Sequence, residues 1–165
     1  GKAKADRVLE NEYKLIPGRT YVKDPTVRIA EDSEPCYLIL VVYIPEELQD
    51  VIYYDDHQDS ICSQIGNNSW WGQFYDENYS DDPDAYDVFV YAGGDHIARP
   101  GDVIPTFDHI LVKEDATYEQ LQKADLSEMK ITAYGVQCEE LADSMKADDI
   151  WEIIYNAYDP FGNNP

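Results

Sequence analysis

The sequence predicts a mainly β protein, an antiparallel β-sandwich with one or two short helices. Two observations predict this fold class. Residues 36–44 form an unbroken apolar run rich in β-branched and aromatic side chains. Strand-like segments and turn signals then recur at short intervals, without the strand-helix alternation that parallel sheets require. With 165 residues, the chain is expected to form one domain over residues 1–165.

The apolar run at residues 36–44 is too short for a membrane-spanning helix, which needs roughly 20 apolar residues. It is typical of a strand in the middle of a sheet, covered on both faces. Side chains alternate along a strand, so one face carries Tyr37, Ile39, Val41 and Tyr43, and the other carries Leu38, Leu40, Val42 and Ile44. The outer face of a sandwich is normally solvated. We therefore expect a cover for this one, either the C-terminal helix or a neighbouring subunit.

The remaining elements are predicted from turn residues and local alternation. Pro17-Gly18 is a strong turn signal after a short strand at residues 12–16. The Gly93-Gly94 pair predicts a hairpin that returns through residues 95–98. Extended segments are predicted over residues 20–23, 26–29, 51–54, 69–75, 87–92, 107–112 and 129–138, and helical turns over residues 60–65 and 118–124.

A C-terminal helix is the clearest helical prediction. Asp149 and Glu152 have the spacing of a capping box, with Asp149 as the expected residue at the helix start. Asp159-Pro160 and Gly162 are expected to end it. One helical face would carry Ile150, Ile153, Ile154 and Ala157.

The charge balance argues against two classes of partner. The chain has 34 acidic and 12 basic residues and a formal net charge of −22. Such a surface repels nucleic-acid phosphates and anionic lipid head groups. We therefore expect no nucleic-acid partner and no membrane span. The acidity favours solubility, and it also suits a surface exposed to divalent cations outside the cell.

The three cysteines, Cys36, Cys62 and Cys138, are an odd number. One disulfide could form in three ways, or none could form. None of the three lies in a CxxC motif, so a zinc ribbon or a thioredoxin-type site is not indicated. Buried free thiols are the favoured interpretation.

No catalytic or cofactor-binding motif is present. HExxH, GxSxG, P-loop and GxGxxG patterns are all missing, so no catalytic residue is assigned. His57 lies in an acidic segment, where a solvated loop is favoured over a metal cluster. A metal-dependent hydrolase or protease would need His57 or His96 to converge with two carboxylates, and His109 is expected to be an ordinary strand residue.

An acidic stretch offers the candidate ligands for calcium. Asp76, Asn78, Ser80 and Asp82 alternate like the start of an EF-hand loop, but Asp81 occupies the sixth position, where glycine is required. A solvated acidic loop is therefore favoured, with no cofactor assigned and calcium as the alternative. The candidate calcium residues are Asp76, Asn78, Asp82 and Asp84.

An aromatic strand offers a candidate contact surface. Its residues are Trp70, Trp71, Phe74 and Tyr75, with the two tryptophans expected on opposite sides of the strand. Core packing is the favoured interpretation. The alternative is an extracellular adhesin-like module that uses these aromatics to bind glycan or protein.

Four stretches, in this order, resemble a known family: PGRTYVKDPTVRI followed by CYLILVVYI, then ARPGDVIPTFDHILV, MKITAYGVQC and DDIWEIIYN. They are similar to the TasA and camelysin group of bacterial biofilm-matrix and surface proteins, which are exported through the signal peptidase SipW. Residues 46–98 lie outside the resemblance. The matching positions are Pro17-Gly18, residues 23–27 and 36–43, Gly101, Pro105, Phe107, residues 133–137 and Trp151.

The resemblance implies a jelly-roll-like β-sandwich, secreted to the cell surface of a Gram-positive-type bacterium. It implies a structural role in the surface layer or biofilm matrix, with the protein itself or other matrix proteins as partners. Fibre-forming members assemble by strand exchange, and residues 1–11 are expected to be either flexible or the remnant of a donor strand. Camelysin is described as a metalloprotease, but because the zinc signature is missing here, that activity is not expected.

Overall fold

A computed structural model describes residues 15–53, 60–74, 85–138 and 146–162. Within these residues the chain forms nine strands in three antiparallel sheets and four short α-helices, one of them C-terminal. The mainly β prediction is confirmed at this level. The prediction of one or two helices is wrong in number. The helical turns predicted at residues 60–65 and 118–124 and the C-terminal helix are present, and the further helix, Glu46–Gln49, is a single turn, too short to leave a periodic pattern in the sequence. None of the helices in the described ranges combines the length and apolarity needed to cross a bilayer.

The strands are β1 Thr20–Val22, β2 Thr26–Arg28, β3 Cys36–Tyr43, β4 Ile52–Tyr53, β5 Trp71–Phe74, β6 Tyr86–Tyr91, β7 Val103–Pro105, β8 His109–Val112 and β9 Lys130–Gln137. The helices are α1 Glu46–Gln49, α2 Ile61–Asn67, α3 Tyr118–Lys123 and α4 Ala147–Tyr158, with a 3-10 turn at Leu126–Glu128. The largest sheet, here the central sheet, has the order β5-β6-β3-β9, and the two smaller sheets are β1-β8-β4 and β2-β7. Of the strand predicted at residues 12–16, residues 12–14 lie outside the described ranges, and Leu15 and Ile16 belong to no strand.

Strand β3 lies between β6 and β9, as the apolar run predicts. Leu40 is opposite Phe89 on one side and Ala133 on the other, and the pairing with β9 runs the whole length of β3. Both faces of the strand are buried: Leu40 and Ile39, its neighbour on the other face, are fully inaccessible to solvent. The predicted alternation is therefore confirmed.

The inner face of β3 packs into the larger core cluster. Leu38, Leu40 and Val42 lie there against side chains of the two smaller sheets. Complete burial of one such side chain is worth about 1.5–3 kcal/mol, so this cluster is what joins the three sheets. The other sheet residues in it include Ile52, Trp71, Phe89, Tyr91, Ile104, Ile110 and Val112.

The outer face of β3 is covered by α4. Tyr37, Ile39 and Val41 form a second cluster with buried side chains of the helix. The C-terminal helix therefore supplies the cover that the sequence predicts. Its buried residues are Ile150, Trp151 and Ile154, whereas the predicted Ala157 is exposed. The contact face is rotated towards Trp151 because the larger ring fills the space against Phe74, with ring centroids 6.0 Å apart.

The start of α4 differs from the prediction. The helix begins at Ala147, two residues before Asp149. The Asp149 carboxylate accepts a hydrogen bond from the Lys146 backbone N–H at 3.3 Å, so it acts from inside the first turn. An acidic group there is favourable because the helix N-terminus carries partial positive charge. The helix ends as predicted at Asp159, which has a left-handed backbone with φ 47°.

The hairpin predicted at Gly93-Gly94 is wrong. Both sides of β6 are already paired, one with β5 and the other with β3, so no returning strand can join it. The chain instead crosses the end of the sheet, and Ala98 exchanges two backbone hydrogen bonds with Cys36 at 2.8 and 2.9 Å. A bidentate Arg99–Asp95 ion pair, at 2.6 and 3.0 Å, links the residue after Ala98 to the turn that precedes it.

We predict that Trp151→Ala lowers the free energy of unfolding by about 3–5 kcal/mol, as for other large-to-small core substitutions. The indole is 1% exposed and fills the space between α4 and the central sheet. Urea denaturation followed by circular dichroism measures the change. Glu152→Ala is the control, because Glu152 is exposed on the same helix, and its effect should stay within about 0.5 kcal/mol. Equal effects of the two substitutions would contradict the assigned packing face.

Candidate functional site

The candidate metal ligands fall largely outside the described ranges. His57 and the calcium candidates Asp76, Asn78, Asp82 and Asp84 all lie there. Among residues 15–53, 60–74, 85–138 and 146–162, no three His, Cys, Asp or Glu side chains come together as a metal-binding group.

The two described histidines lie on different elements. His96 occupies the turn after β6 with a left-handed backbone, φ 68°. His109 is the first residue of β8, and its Nδ1 lies 2.6 Å from Oδ1 of the adjacent Asp108. Each histidine therefore has a local role in a turn or at a strand end.

The predicted aromatic contact residues separate in the structure. Trp71 is 1% exposed in the inner cluster, whereas Phe74 is half-buried in the outer cluster on the opposite face of the central sheet. Trp70 is 38% exposed and stacks on Tyr91, with ring planes 8° apart. Tyr75 lies outside the described ranges. The described members thus place one exposed tryptophan, Trp70, at the surface instead of a continuous aromatic face.

The burial of Trp71 follows from contacts distant in sequence. Its indole Nε1 donates to the Pro105 carbonyl at 2.9 Å. The Asn68 side chain accepts from the backbone N–H groups of Trp70 and Trp71, and it donates to the Thr106 carbonyl at 3.0 Å. These bonds tie the end of α2 and the start of β5 to β7. They decide which of the two adjacent tryptophans enters the core.

A cavity of about 190 Å³ lies beside β4 and α2. Lys113 and Asp87 both line it, and the Lys113 Nζ lies 4.3 Å from the centre of the Tyr53 ring. Cys62 is the one cysteine among the lining residues. Burial, and then the charge and hydrogen bond of Asp87, raise the pKa of the Cys62 thiol far above its ordinary value. Because the thiolate is the nucleophilic form, this thiol is poorly suited to catalysis.

The other two cysteines lie near each other at the end of the central sheet where β3 begins and β9 ends. Cys36 packs against the inner cluster and Cys138 against the outer one, so their side chains point to opposite faces. All three cysteines are free and partly buried. Burial also raises the pKa of Cys36. These thiols contribute to packing.

The strands carry almost no acidic residues. Asp87 in β6 is the one carboxylate within the nine described strands, in a chain with 34 acidic residues. Among the residues that the structure describes, the negative charge is therefore concentrated in loops, helices and turns. The sheet edges are the parts of the molecule that another chain can approach with the least direct carboxylate repulsion.

One edge of the central sheet is formed by β9, a strand of eight residues. In an antiparallel sheet, alternate residues of a strand direct both of their backbone groups to the same side. At the two ends of β3, the backbone groups of even-numbered residues bond to segments on the β6 side. Cys36 bonds to Ala98, which follows β6 in the chain, and the Ile44 N–H bonds to the carbonyl of Ala85, the residue directly before β6. The even-numbered residues of β3 therefore face β6, and the odd-numbered ones face β9.

This alternation fixes which backbone groups of β9 point away from the sheet. The odd-numbered residues of β3 are opposite the even-numbered residues of β9, as in the pairs Ile39–Tyr134 and Val41–Thr132. The N–H and C=O groups of the odd-numbered residues in β9 therefore point outward. These residues are Ile131, Ala133, Gly135 and Gln137. Within the described part of the chain, β9 pairs with β3 and with no other strand.

The opposite edge of the central sheet is less accessible. Strand β5 has four residues, and α2 lies directly before it in the chain. The Ala92 N–H bonds to the Trp70 carbonyl, so by the same alternation the Trp71 N–H points outward, where the Asn68 side chain accepts it at 3.2 Å. Of the two edges, β9 therefore offers the longer row of outward backbone groups, and it is the candidate functional site.

A scan against models of known protein families, a search of curated proteins and a search of solved structures each found no match. The sheet edge and the sequence motifs are therefore the observations that bear on function.

We predict that Cys62 reacts slowly with iodoacetamide at pH 8 in a variant whose other cysteines are serine. Asp87→Asn removes the negative charge that raises the pKa of the thiol, so the rate should rise by up to about tenfold, the effect of one pKa unit on the thiolate fraction. Mass spectrometry over time measures the rate.

The control is Gln73→Ala, which removes the side-chain amide that donates to Asp87 at 3.2 Å but keeps the carboxylate. The rate of Cys62 alkylation in this variant should match that in the parent within about twofold. Alkylation of Cys62 in the parent as fast as that of a small free thiol would contradict the assigned environment.

Proposed function

We propose that this protein is a secreted structural protein of a bacterial cell surface or biofilm matrix, which self-associates through an edge of its β-sheet. Its fold would be the jelly-roll-like sandwich that the TasA-like and camelysin-like motifs imply. Three observations support this proposal. They are the ordered motif set, the β9 edge, which is paired on one side only within the described residues, and the near-absence of carboxylates from the described strands.

The accessible β9 edge carries the proposal. Outward backbone N–H and C=O groups form a template on which a second extended chain can add as a further strand. Ala133 is exposed and Gly135 is half-buried, so two small residues leave room for a second backbone at the middle of the edge. Main-chain hydrogen bonds would supply the affinity, which is the chemistry of an assembly subunit.

The distribution of charge on β9 is compatible with a second copy of the chain as the partner. Strand β9 contains one lysine and no acidic residue, although the whole chain carries a net charge of −22. Two copies would repel one another at a distance and meet without carboxylates at the edge itself. Association should therefore depend on how strongly dissolved ions screen the repulsion between the two acidic copies. This dependence suits a matrix protein that meets salt and divalent cations outside the cell.

We predict that Ala133→Pro weakens self-association at least tenfold and leaves the fold intact. Proline removes one outward N–H, and edge positions tolerate it because no bond within the sheet is lost. Ala133→Ser keeps the N–H and should associate like the wild type. Sedimentation velocity over a concentration series measures association, and circular dichroism checks folding. A wild type that remains a strict monomer at every pH and calcium concentration would refute the proposed function.

We also predict that wild-type association strengthens with ionic strength. The screening length falls from about 30 Å at 0.01 M salt to about 3 Å at 1 M, which removes the long-range repulsion between two acidic copies. Size-exclusion chromatography and electron microscopy across this series, with and without calcium, measure the change. Association that weakens as salt rises would show that attraction between charged groups, and not strand addition, holds the copies together.

A further inference from the structure

Tyr158, at the end of α4, already contacts the β9 edge. Its hydroxyl donates to the carbonyl of Gly135 at 3.0 Å. Its ring packs on Tyr134, with centroids 5.3 Å apart. Because the Gly135 carbonyl is one of the outward groups of β9, a side chain of the cover helix occupies the position where an added strand would bond. Tyr158 is 52% exposed, so the side chain has room to turn away from the edge into solvent.

The sequence of β9 is suited to pairing with itself. In an antiparallel arrangement centred on Tyr134, the outward residue Ala133 faces Gly135 of the other copy, and Ile131 faces Gln137. Every outward residue of one strand then meets an outward residue of its mate, so all four outward N–H groups of each copy find carbonyls. The two smallest residues of the strand are opposite each other, and no like charges meet.

We propose that the partner strand is β9 of a second copy, paired antiparallel about a two-fold axis at Tyr134, and that Tyr158 is a latch that must release Gly135 before the strands can pair. This inference rests on the proposed function, since it names the partner and the regulation of the same edge. It joins two central sheets into one continuous sheet through an isologous interface, in which the same residues serve both copies.

The latch follows from the position of the two-fold axis. Tyr158 packs on Tyr134, so the two Tyr158 side chains would meet at the centre of the paired strands. The Gly135 carbonyl would accept from the Ala133 N–H of the second copy in place of the hydroxyl. Each tyrosine therefore has to turn away from the edge as the strands pair. Association is then linked to a movement at the end of α4.

Cysteine cross-linking of the full chain, with the three native cysteines replaced by serine, tests the register. Tyr134→Cys places two thiols opposite each other at a non-hydrogen-bonded pair, where Cα atoms are about 4.5 Å apart, so oxidised glutathione should convert it to a covalent dimer. Thr132→Cys is the matched control. It faces Val136 of the other copy, leaving its own counterpart beyond disulfide reach, and it should stay monomeric on a non-reducing gel.

Tyr158→Phe tests the latch. It keeps the ring and removes the hydroxyl. Because a dimer releases two such hydrogen bonds, one in each copy, the dimer association constant from sedimentation velocity should rise about 25-fold, the worth of two ordinary hydrogen bonds. Tyr118→Phe is the control, because Tyr118 is an exposed tyrosine on α3. An unchanged or weaker association in Tyr158→Phe overturns the latch.

The outcomes separate this inference from the proposed function. If the wild type associates and Ala133→Pro prevents it, but Tyr134→Cys forms no covalent dimer, then β9 receives a different strand. In that case the self-pairing is wrong and the proposed function stands. If neither the wild type nor Tyr158→Phe associates under any condition, and no cross-link forms, both are wrong. Equal cross-linking at positions 132 and 134 overturns the register.

Discussion

The burial of β3 on both faces is the constraint on which the rest of the structure depends. Its inner side chains join the central sheet to the two smaller sheets, and its outer side chains hold α4. A slip of one residue would exchange the two faces. It would place Tyr37 in a core shaped for leucine and valine. The register of β3 is therefore strongly specified, and the registers of β6 and β9 follow from it.

That register also determines the chemistry of the β9 edge. Whether a backbone group of β9 bonds to β3 or points outward depends only on its position relative to Tyr37, Ile39 and Val41. The side chains that α4 buries thus fix which main-chain groups another molecule can reach. Helix α4 also supplies a side-chain hydrogen bond to that edge, from Tyr158 to the Gly135 carbonyl. Stability and the proposed association are controlled by the same helix.

Much of the fold was predictable because its strongest signals are long or periodic. The apolar run of β3 and the alternation in β9 each extend over eight residues, and α4 has twelve residues. Each therefore carries its own evidence in the sequence. The failures concern competition between segments. Gly93-Gly94 is a valid turn signal, but β6 had no side left for a returning strand because β5 and β3 occupy both.

The candidate site was predictable only in part, for the same reason. Trp70 and Trp71 are equivalent in the sequence, and Asn68 and Pro105 decide that the second one is buried. The alternation of β9 is visible in the sequence, but its place at the edge of the sheet depends on the order of all four strands. The contact between Tyr158 and Gly135 joins residues 23 positions apart on a helix and a strand. No local sequence pattern predicts this contact.

In the part of the chain that the structure describes, Cys62, His96 and His109 lie on separate elements. Burial and Asp87 raise the pKa of the Cys62 thiol beside the cavity at β4 and α2, and the two described histidines lie in a turn and at a strand end. Among the described residues, all carboxylates except that of Asp87 lie outside the strands. What the fold presents in an ordered array is a row of peptide groups along β9. The ladder to β3 holds these groups at the regular spacing of a strand, which is the arrangement that pairing with another extended chain requires. The proposed self-association uses this row of peptide groups, and in that proposal the acidity of the chain controls when copies can add.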